Sequence, residues 1–248
     1  MISDFITRQP IFNQNMVIKA YELLYRHNHV NHFPDICQEH ATRSIITDFH
    51  LDIKQQLVGD TKAFINFTQQ AIIQGLPYAL DPTKVVIEVL ESTTPSLGLI
   101  QALQKLHHKG YTLALDDYIP HQSWAECYPY ISYIKFDLQQ FSIADAGYFI
   151  SQLEHQHIQF IAEKIETKRA YLQAKQQGFN LFQGYYLSRP ELLYKLPLNH
   201  NYRHAFIAHY QTLTCNTSAT HNPLPTSHKN PVIGFMSDQT MVNQICVK

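Results

Sequence analysis

Short apolar runs alternate with longer amphipathic stretches along most of the chain. The short runs lie at about 5–12, 16–24, 63–67, 85–88, 111–116, 131–135, 158–162 and 179–182. They are rich in β-branched and aromatic residues, which predicts eight buried strands. Helical patterns fall between them at about 38–57, 68–74, 96–109, 122–128, 141–155 and 168–177. Gly110 and Gly178 follow two of these stretches, where a helix stop calls for left-handed backbone. Strands alternating with helices predict a mostly parallel sheet. Eight of them in about 190 residues predict an α/β protein with a TIM-like (β/α)8 barrel, compact for its class. The first two runs are joined by Asn13-Gln14-Asn15, a hairpin-like connection, so one antiparallel strand is expected near the N-terminus.

The texture changes past the barrel. Residues 1–198 carry the alternating pattern, whereas 199–248 are expected to form a poorly ordered or peripheral tail, dense in Ser, Thr, Asn, Pro and His at 212–231. Charge is nearly balanced, with 19 basic and 20 acidic residues and a formal net charge of −1. That balance argues against a basic groove for a nucleic-acid polymer and against a polybasic membrane anchor. No apolar run approaches the ~20 residues of a membrane span, and residues 1–10 do not resemble a signal peptide. Cys37, Cys127, Cys215 and Cys246 form no Cys-x-x-Cys pair and are expected to be reduced thiols of a cytoplasmic protein. The segment His27-Asn28-His29-Val30-Asn31-His32 could bind a transition metal, although a polar loop explains it better.

Polar groups recur at the ends of the apolar runs. Glu22, Asn66, Glu88, Asp116 with Asp117, Lys135, Glu163 and Gln183 end the second to eighth runs in turn, and Asp137 follows Lys135. After the first interval, successive members lie about one βα unit apart. In a barrel the strand C-termini share one face, so Glu22, Glu88, Asp116, Asp117 and Glu163 should meet in one cleft. Five carboxylates cannot share a low-dielectric pocket unpaired. Lys135 offsets one charge. Hard divalent cations suit the rest, because carboxylates and an Asn carbonyl are the ligands that Mg2+ or Mn2+ prefers. Any single acid alone would read as a helix cap or a surface charge.

These residues fall into an ordered set of motifs. Arg8-Gln9-Pro10-Ile11-Phe12 is similar to a Gln-Pro-Ile start, and Glu22-Leu23-Leu24-Tyr25-Arg26 stands where a Glu-Ala-Leu-x-Arg signature belongs. Phe64-Ile65-Asn66-Phe67-Thr68, Glu88-Val89-Leu90-Glu91, Leu115-Asp116-Asp117-Tyr118 and Ile134-Lys135-Phe136-Asp137 follow. Ala162-Glu163-Lys164-Ile165-Glu166-Thr167 and Phe182-Gln183-Gly184-Tyr185-Tyr186 with Pro190 complete the series. Over about residues 5–195 the chain resembles the EAL-domain family of cyclic-di-GMP phosphodiesterases. It is most similar to the subgroup in which an EAL domain precedes a helical HDOD domain, and the short remainder suggests that this partner domain is missing. Leu23 departs from the signature Ala. The segment Tyr118-Ile119-Pro120-His121-Gln122-Ser123-Trp124 lacks the Gly-x-Gly-x-Ser-Ser loop of active stand-alone members.

The resemblance implies hydrolysis of cyclic-di-GMP to linear 5′-pGpG with two Mg2+ or Mn2+ ions. It implies Glu22, Asn66, Glu88 and Asp116 on one metal, with Asp116 bridging to a second beside Asp117. Lys135 would orient the attacking water or offset charge, and Glu163 would be a general base or a second-metal ligand. Glu22, Lys135 and Glu163 are thus the expected catalytic residues. Gln9, Arg26, Asp137 and Gln183 would bind substrate, with Pro10 and Leu24 as pocket walls. Glu91 would brace the altered loop, and Glu166 would hold water or cap the next helix. Tyr118 or Tyr186 could stack on a guanine or simply pack. A homodimer, or a protein partner in place of the HDOD domain, is also implied. The competing reading is a non-catalytic module that senses cyclic-di-GMP or binds a partner, favoured by the altered loop. A sugar-processing barrel fits the acids but not Asn66 with Lys135.

Overall fold

A computed structural model describes residues 4–27, 41–42, 45–46, 57–153, 155 and 157–193, leaving aside the side chains of residues 4, 5, 26, 27 and 193. The tail at 199–248, the histidine-rich segment at 28–32, most of the helix expected at 38–57, and Cys37, Cys215 and Cys246 lie outside the described residues. So does the side chain of Arg26.

Eight strands close into a barrel in the order of the chain: β1 (Asp4–Asn13), β2 (Ile18–His27), β3 (Lys62–Phe67), β4 (Val85–Val89), β5 (Thr112–Leu115), β6 (Tyr133–Asp137), β7 (Gln159–Glu163) and β8 (Leu181–Phe182). Strands β2 to β8 are parallel. Strand β1 closes the ring antiparallel to both β2 and β8, as the short hairpin connection requires. Met16, at φ 61°, makes the turn between β1 and β2. A ninth strand, β9 (Glu191–Leu193), was not expected. It pairs with Ile6 to Arg8, the stretch of β1 beyond its ladder to β8. Arg8 fastens it through Glu191 at 2.9 Å.

Four α-helices that lie wholly among the described residues follow strands: α1 (Gln69–Ile73), α2 (Leu97–His108), α3 (Ile143–Gln152) and α4 (Lys168–Gln176). Each starts at a hydroxyl cap, respectively Thr68, Ser96, Ser142 and Thr167, whose oxygen accepts a backbone N–H of the first turn. Gly110 and Gly178, at φ 85° and 94°, follow α2 and α4 as expected. The stretch expected to be helical at 122–128 instead forms two single 3-10 turns, Gln122–Trp124 and Tyr128–Tyr130. Pro129 inside so short a segment removes a backbone donor that a continuing helix would need. No helix among the described residues is long and apolar enough to cross a membrane.

The period of two along each strand sorts its residues into two layers. One face packs against the helices and includes Ile65, Phe67, Ile87, Leu113 and Phe136. The other fills the barrel with a small plug of Ile11, Ala20, Phe64, Val86, Ala114, Ile161 and Leu181, against which Tyr133 packs. Two residues on from these plug positions come Glu22, Asn66, Glu88, Asp116, Lys135, Glu163 and Gln183. On the reversed strand β1, Gln9 precedes Ile11 by the same step. The apolar plug therefore forms a floor, and the polar layer stands on it at the strand C-termini.

Candidate active site

Register places the polar residues side by side. Gln9 is opposite Glu22, Asn66 opposite Glu88, and Asp137 opposite Glu163. Lys135, 1% exposed, stands in the middle. Its Nζ lies 2.6 Å from Glu88, 2.7 Å from Asp116, 3.0 Å from Glu163 and 3.5 Å from Glu22. Gln183 Nε2 donates to Glu22 at 2.6 Å and to Gln9 Oε1 at 3.0 Å. Gln9 Nε2 donates in turn to the Ser188 carbonyl at 3.3 Å. Eight polar side chains, one from each strand or the residue just past it, thus share one layer, with Asn66 and Asp116 half-buried and the rest buried.

The layer is acid-rich. Four carboxylates surround one ammonium, and Asp117 adds a fifth: ligand oxygens of Asp116, Asp117 and Glu163 lie within 4.8 Å of one another. Burial raises the Glu88 and Glu163 carboxyls well above their usual range. Lys135 opposes the rise, while Glu22 and Asp116 reinforce it. Burial alone would lower Lys135, but the four acids together hold it well above the ordinary lysine value. Burial, then Asp116, raises Asp117. Despite the 2.6 Å ion pair, neither Glu88 oxygen accepts a well-directed hydrogen bond, and buried Asn66 Oδ1 has no partner. Buried oxygens left in this state are unusual and suit coordination to a cation. With surplus carboxylates and an amide oxygen alongside, the donor set suits a hard divalent metal held by Glu22, Asn66, Glu88, Asp116, Asp117 and Glu163.

A cavity of about 660 Å³ opens over this layer. Glu22, Asn66, Asp116, Asp117, Glu163, Gln9 and Gln183 reach it, together with Leu24, Glu91 and Glu166. Two expected substrate residues do not. Pro10 is buried opposite Tyr21. Asp137 is 3% exposed, and its carboxylate accepts from Gln139 N at 2.8 Å, Gln140 Nε2 at 2.6 Å and Lys164 Nζ at 2.6 Å. Those bonds hold Asp137 below its ordinary value although burial works the other way. Helix α4 takes its cap from Thr167, and Glu166 accepts from Gln139 Nε2 at 2.8 Å instead.

Tyr118 is no cavity aromatic. It is 4% exposed, shares a 2.5 Å hydrogen bond with the Tyr128 hydroxyl, and packs among Trp124, Phe136 and Phe149. This cluster, with the bond from Tyr118 N to the Lys135 carbonyl at 2.8 Å, supports the segment after Asp117. Tyr185 rather than Tyr186 lines the cavity, with Arg189 over its ring at 5.3 Å. Lys164, Gln139 and Tyr185 are lining residues that the spacing of strand ends does not reveal. Lys164 and Tyr185 each adjoin or nearly adjoin a polar strand-end residue, which is the one sequence signal they carry.

Comparison with known proteins places this geometry. The EAL domain family profile matches residues 6–190. The cyclic di-GMP phosphodiesterase CdgJ of Vibrio cholerae is 33% identical over 197 residues, covering 78% of this chain and 46% of its own. The uncharacterized protein YuxH of Bacillus subtilis is 33% identical over 215 residues, covering 84% and 52%. The chain therefore spans about half the length of these curated relatives. Among solved structures, the Bacillus subtilis YkuI protein with an EAL domain, in complex with c-di-GMP and calcium, superposes with a TM-score of 0.62 at 21% identity, covering 84% of this chain and 62% of that one. The PaMucR phosphodiesterase in complex with c-di-GMP gives 0.64 at 18% identity, covering 75% and 96%. The structural likenesses speak for the fold alone. With the sequence match across the whole barrel, they lead to one conclusion: this chain belongs to the EAL domain family.

Proposed function

We propose that this EAL domain is a cytoplasmic phosphodiesterase that hydrolyses cyclic-di-GMP to linear 5′-pGpG with two Mg2+ or Mn2+ ions. The observation that carries the reading is the acid layer around Lys135, with buried Asn66 Oδ1 and Glu88 Oε2 lacking hydrogen-bond partners, at the base of a ligand-sized cavity. The relative named as a cyclic di-GMP phosphodiesterase, CdgJ, supports it. Divalent cations held by the carboxylates and Asn66 would supply charge neutralisation and Lewis acidity at the phosphodiester.

The protein's own groups supply the rest. Glu163, buried beside Asp116 and Asp117, is placed to accept a proton from the attacking water as oxygen bonds to phosphorus. The bond from phosphorus to the 3′ oxygen breaks, and that oxygen takes up a proton from solvent, leaving a 5′-phosphate and a 3′-hydroxyl. Lys135 keeps Glu22, Glu88, Asp116 and Glu163 in position and limits their mutual repulsion. Gln183 fixes the Glu22 carboxylate through a 2.6 Å hydrogen bond, and Gln9 steadies Gln183.

The test incubates purified protein with Mn2+ and cyclic-di-GMP and separates products by chromatography. Formation of pGpG, abolished in Glu163→Ala and Glu22→Ala, is expected. Binding without conversion would replace this reading with that of a cyclic-di-GMP receptor. Neither binding nor conversion would overturn both.

A further inference from the structure

Two turns at the mouth of the barrel hold L-residues in left-handed backbone: Asp117 after β5, at φ 38°, and Lys164 after β7, at φ 53°. Non-glycine residues rarely adopt this region, and such outliers persist where the surrounding structure demands a particular side chain. Asp117 belongs to the acid layer. Lys164 has no place in the mechanism above.

The residue stands at the cavity, with its ammonium anchored at the rim. The Lys164 side chain is 46% exposed and lines the cavity wall. Nζ donates to Asp137 Oδ2 at 2.6 Å and lies 3.7 Å from Asp117 Oδ2. Asp137 is a fixed anchor, since Gln139 N and Gln140 Nε2 also grip its carboxylate. An ammonium has three donors. Asp137 takes one, and Asp117 stands beyond hydrogen-bond distance, so two remain untaken by described residues. The other charged residues lining the cavity, among those described, are acids. Lys135 does not compete for this role, being 1% exposed and enclosed by four carboxylates.

We infer that Lys164 is a phosphate-binding residue that engages a phosphodiester oxygen of the dinucleotide at the cavity mouth. The inference rests on the proposed function and deepens it. A dianionic substrate approaching an acidic rim meets repulsion, and an anchored ammonium on that rim offsets it through charge-assisted hydrogen bonding. A lysine serving only to tie down Asp137 would need no exposed donors and would not respond to ligand.

The experiment is calorimetric titration of the full chain with cyclic-di-GMP in calcium, the ion that accompanies intact substrate in the YkuI complex. Lys164→Gln should weaken binding about tenfold at about 50 mM salt, with the difference shrinking as salt rises. Lys164→Arg should stay within about twofold of wild type, because it keeps the charge. Lys164→Gly, which accepts the left-handed backbone but has no ammonium, should bind as weakly as Lys164→Gln. Equal affinity of wild type and Lys164→Gln, or a loss independent of salt and shared by Lys164→Arg, overturns the inference and leaves the proposed function standing. If wild type itself does not bind cyclic-di-GMP, the proposed function falls, and the inference with it.

Discussion

Lys135 Nζ and Glu88 Oε1 sit 2.6 Å apart with side chains 1% and 0% exposed, although their strands, β6 and β4, are not neighbours in the sheet. The pair spans the inside of the barrel, above the apolar plug. Its energetics are dominated by what happens when one partner leaves, because the remaining charges have no water to turn to.

Lys135→Met should therefore destabilise the cation-free protein by about 3–5 kcal/mol, read from urea unfolding at neutral pH. The sign of its pH dependence follows from Glu88 and Glu163. Their carboxyls are raised in the fold, so the folded state holds protons that the unfolded chain releases above its ordinary carboxylate value. Stability is then fullest below that value and is lost as pH rises through the folded one. Without Lys135 to oppose the rise, the variant should be more stable near pH 5.5 than near pH 7.5. A flat profile would mean that the acids are not mutually buried.

A divalent cation should stabilise the fold, since binding to the folded state alone shifts unfolding by mass action. Mn2+ at about a hundredfold its dissociation constant should raise the melting temperature by roughly 5–10 °C. Asn66→Ala and Glu88→Gln should each reduce that increment in a thermal scan, because Asn66 Oδ1 and Glu88 Oε2 are buried oxygens without hydrogen-bond partners. An undiminished increment in both variants would remove them from the ligand set.

Gly184 allows β8 to lead out past β7. Its φ is 149°, and an added Cβ would lie 2.2 Å from Ile165 N and 2.3 Å from Ile165 O. Backbone cannot yield as a flexible side chain can, so Gly184→Ala should cost about 2–4 kcal/mol and loosen the adjacent Gln183. Urea unfolding gives the first quantity. A loss of cyclic-di-GMP affinity alongside it would show the second.

Cys127 lies buried between the two 3-10 turns, and burial pushes its thiol up to about 11 from the ordinary 9.0. Iodoacetamide at about pH 8.5 should leave it unmodified in native protein and alkylate it in urea, as mapped by peptide mass spectrometry. Because the folded value is the higher one, its stabilising contribution is complete below the unfolded value of 9.0 and is lost as pH climbs towards 11. Cys127→Ala should flatten the decline in stability across that window.

Much of this was legible in the sequence. The two-residue period of each strand placed Ala20 and Glu22, Val86 and Glu88, or Ile161 and Glu163 on one face, apolar then polar. A short hairpin announced the reversed β1. These features are local: alternation and turn chemistry are set by neighbours in the chain, and the common polarity of parallel strands then gathers their ends at one mouth. What local pattern could not assign was partnership. Asp137 has the same phase as Lys135, yet Lys164 and Gln140 claim it. Tyr118 reads as a stacking aromatic, yet Tyr128 and Phe136 bury it. Strand β9 has no alternating signature in its three residues and exists because β1 offers backbone groups that need pairing. The left-handed turns at Asp117 and Lys164 and the gathering of four acids on Lys135 likewise depend on distances across the closed barrel. Closure brings together residues far apart in the chain, and only there does each charged group meet the neighbours that set its protonation, orientation and use.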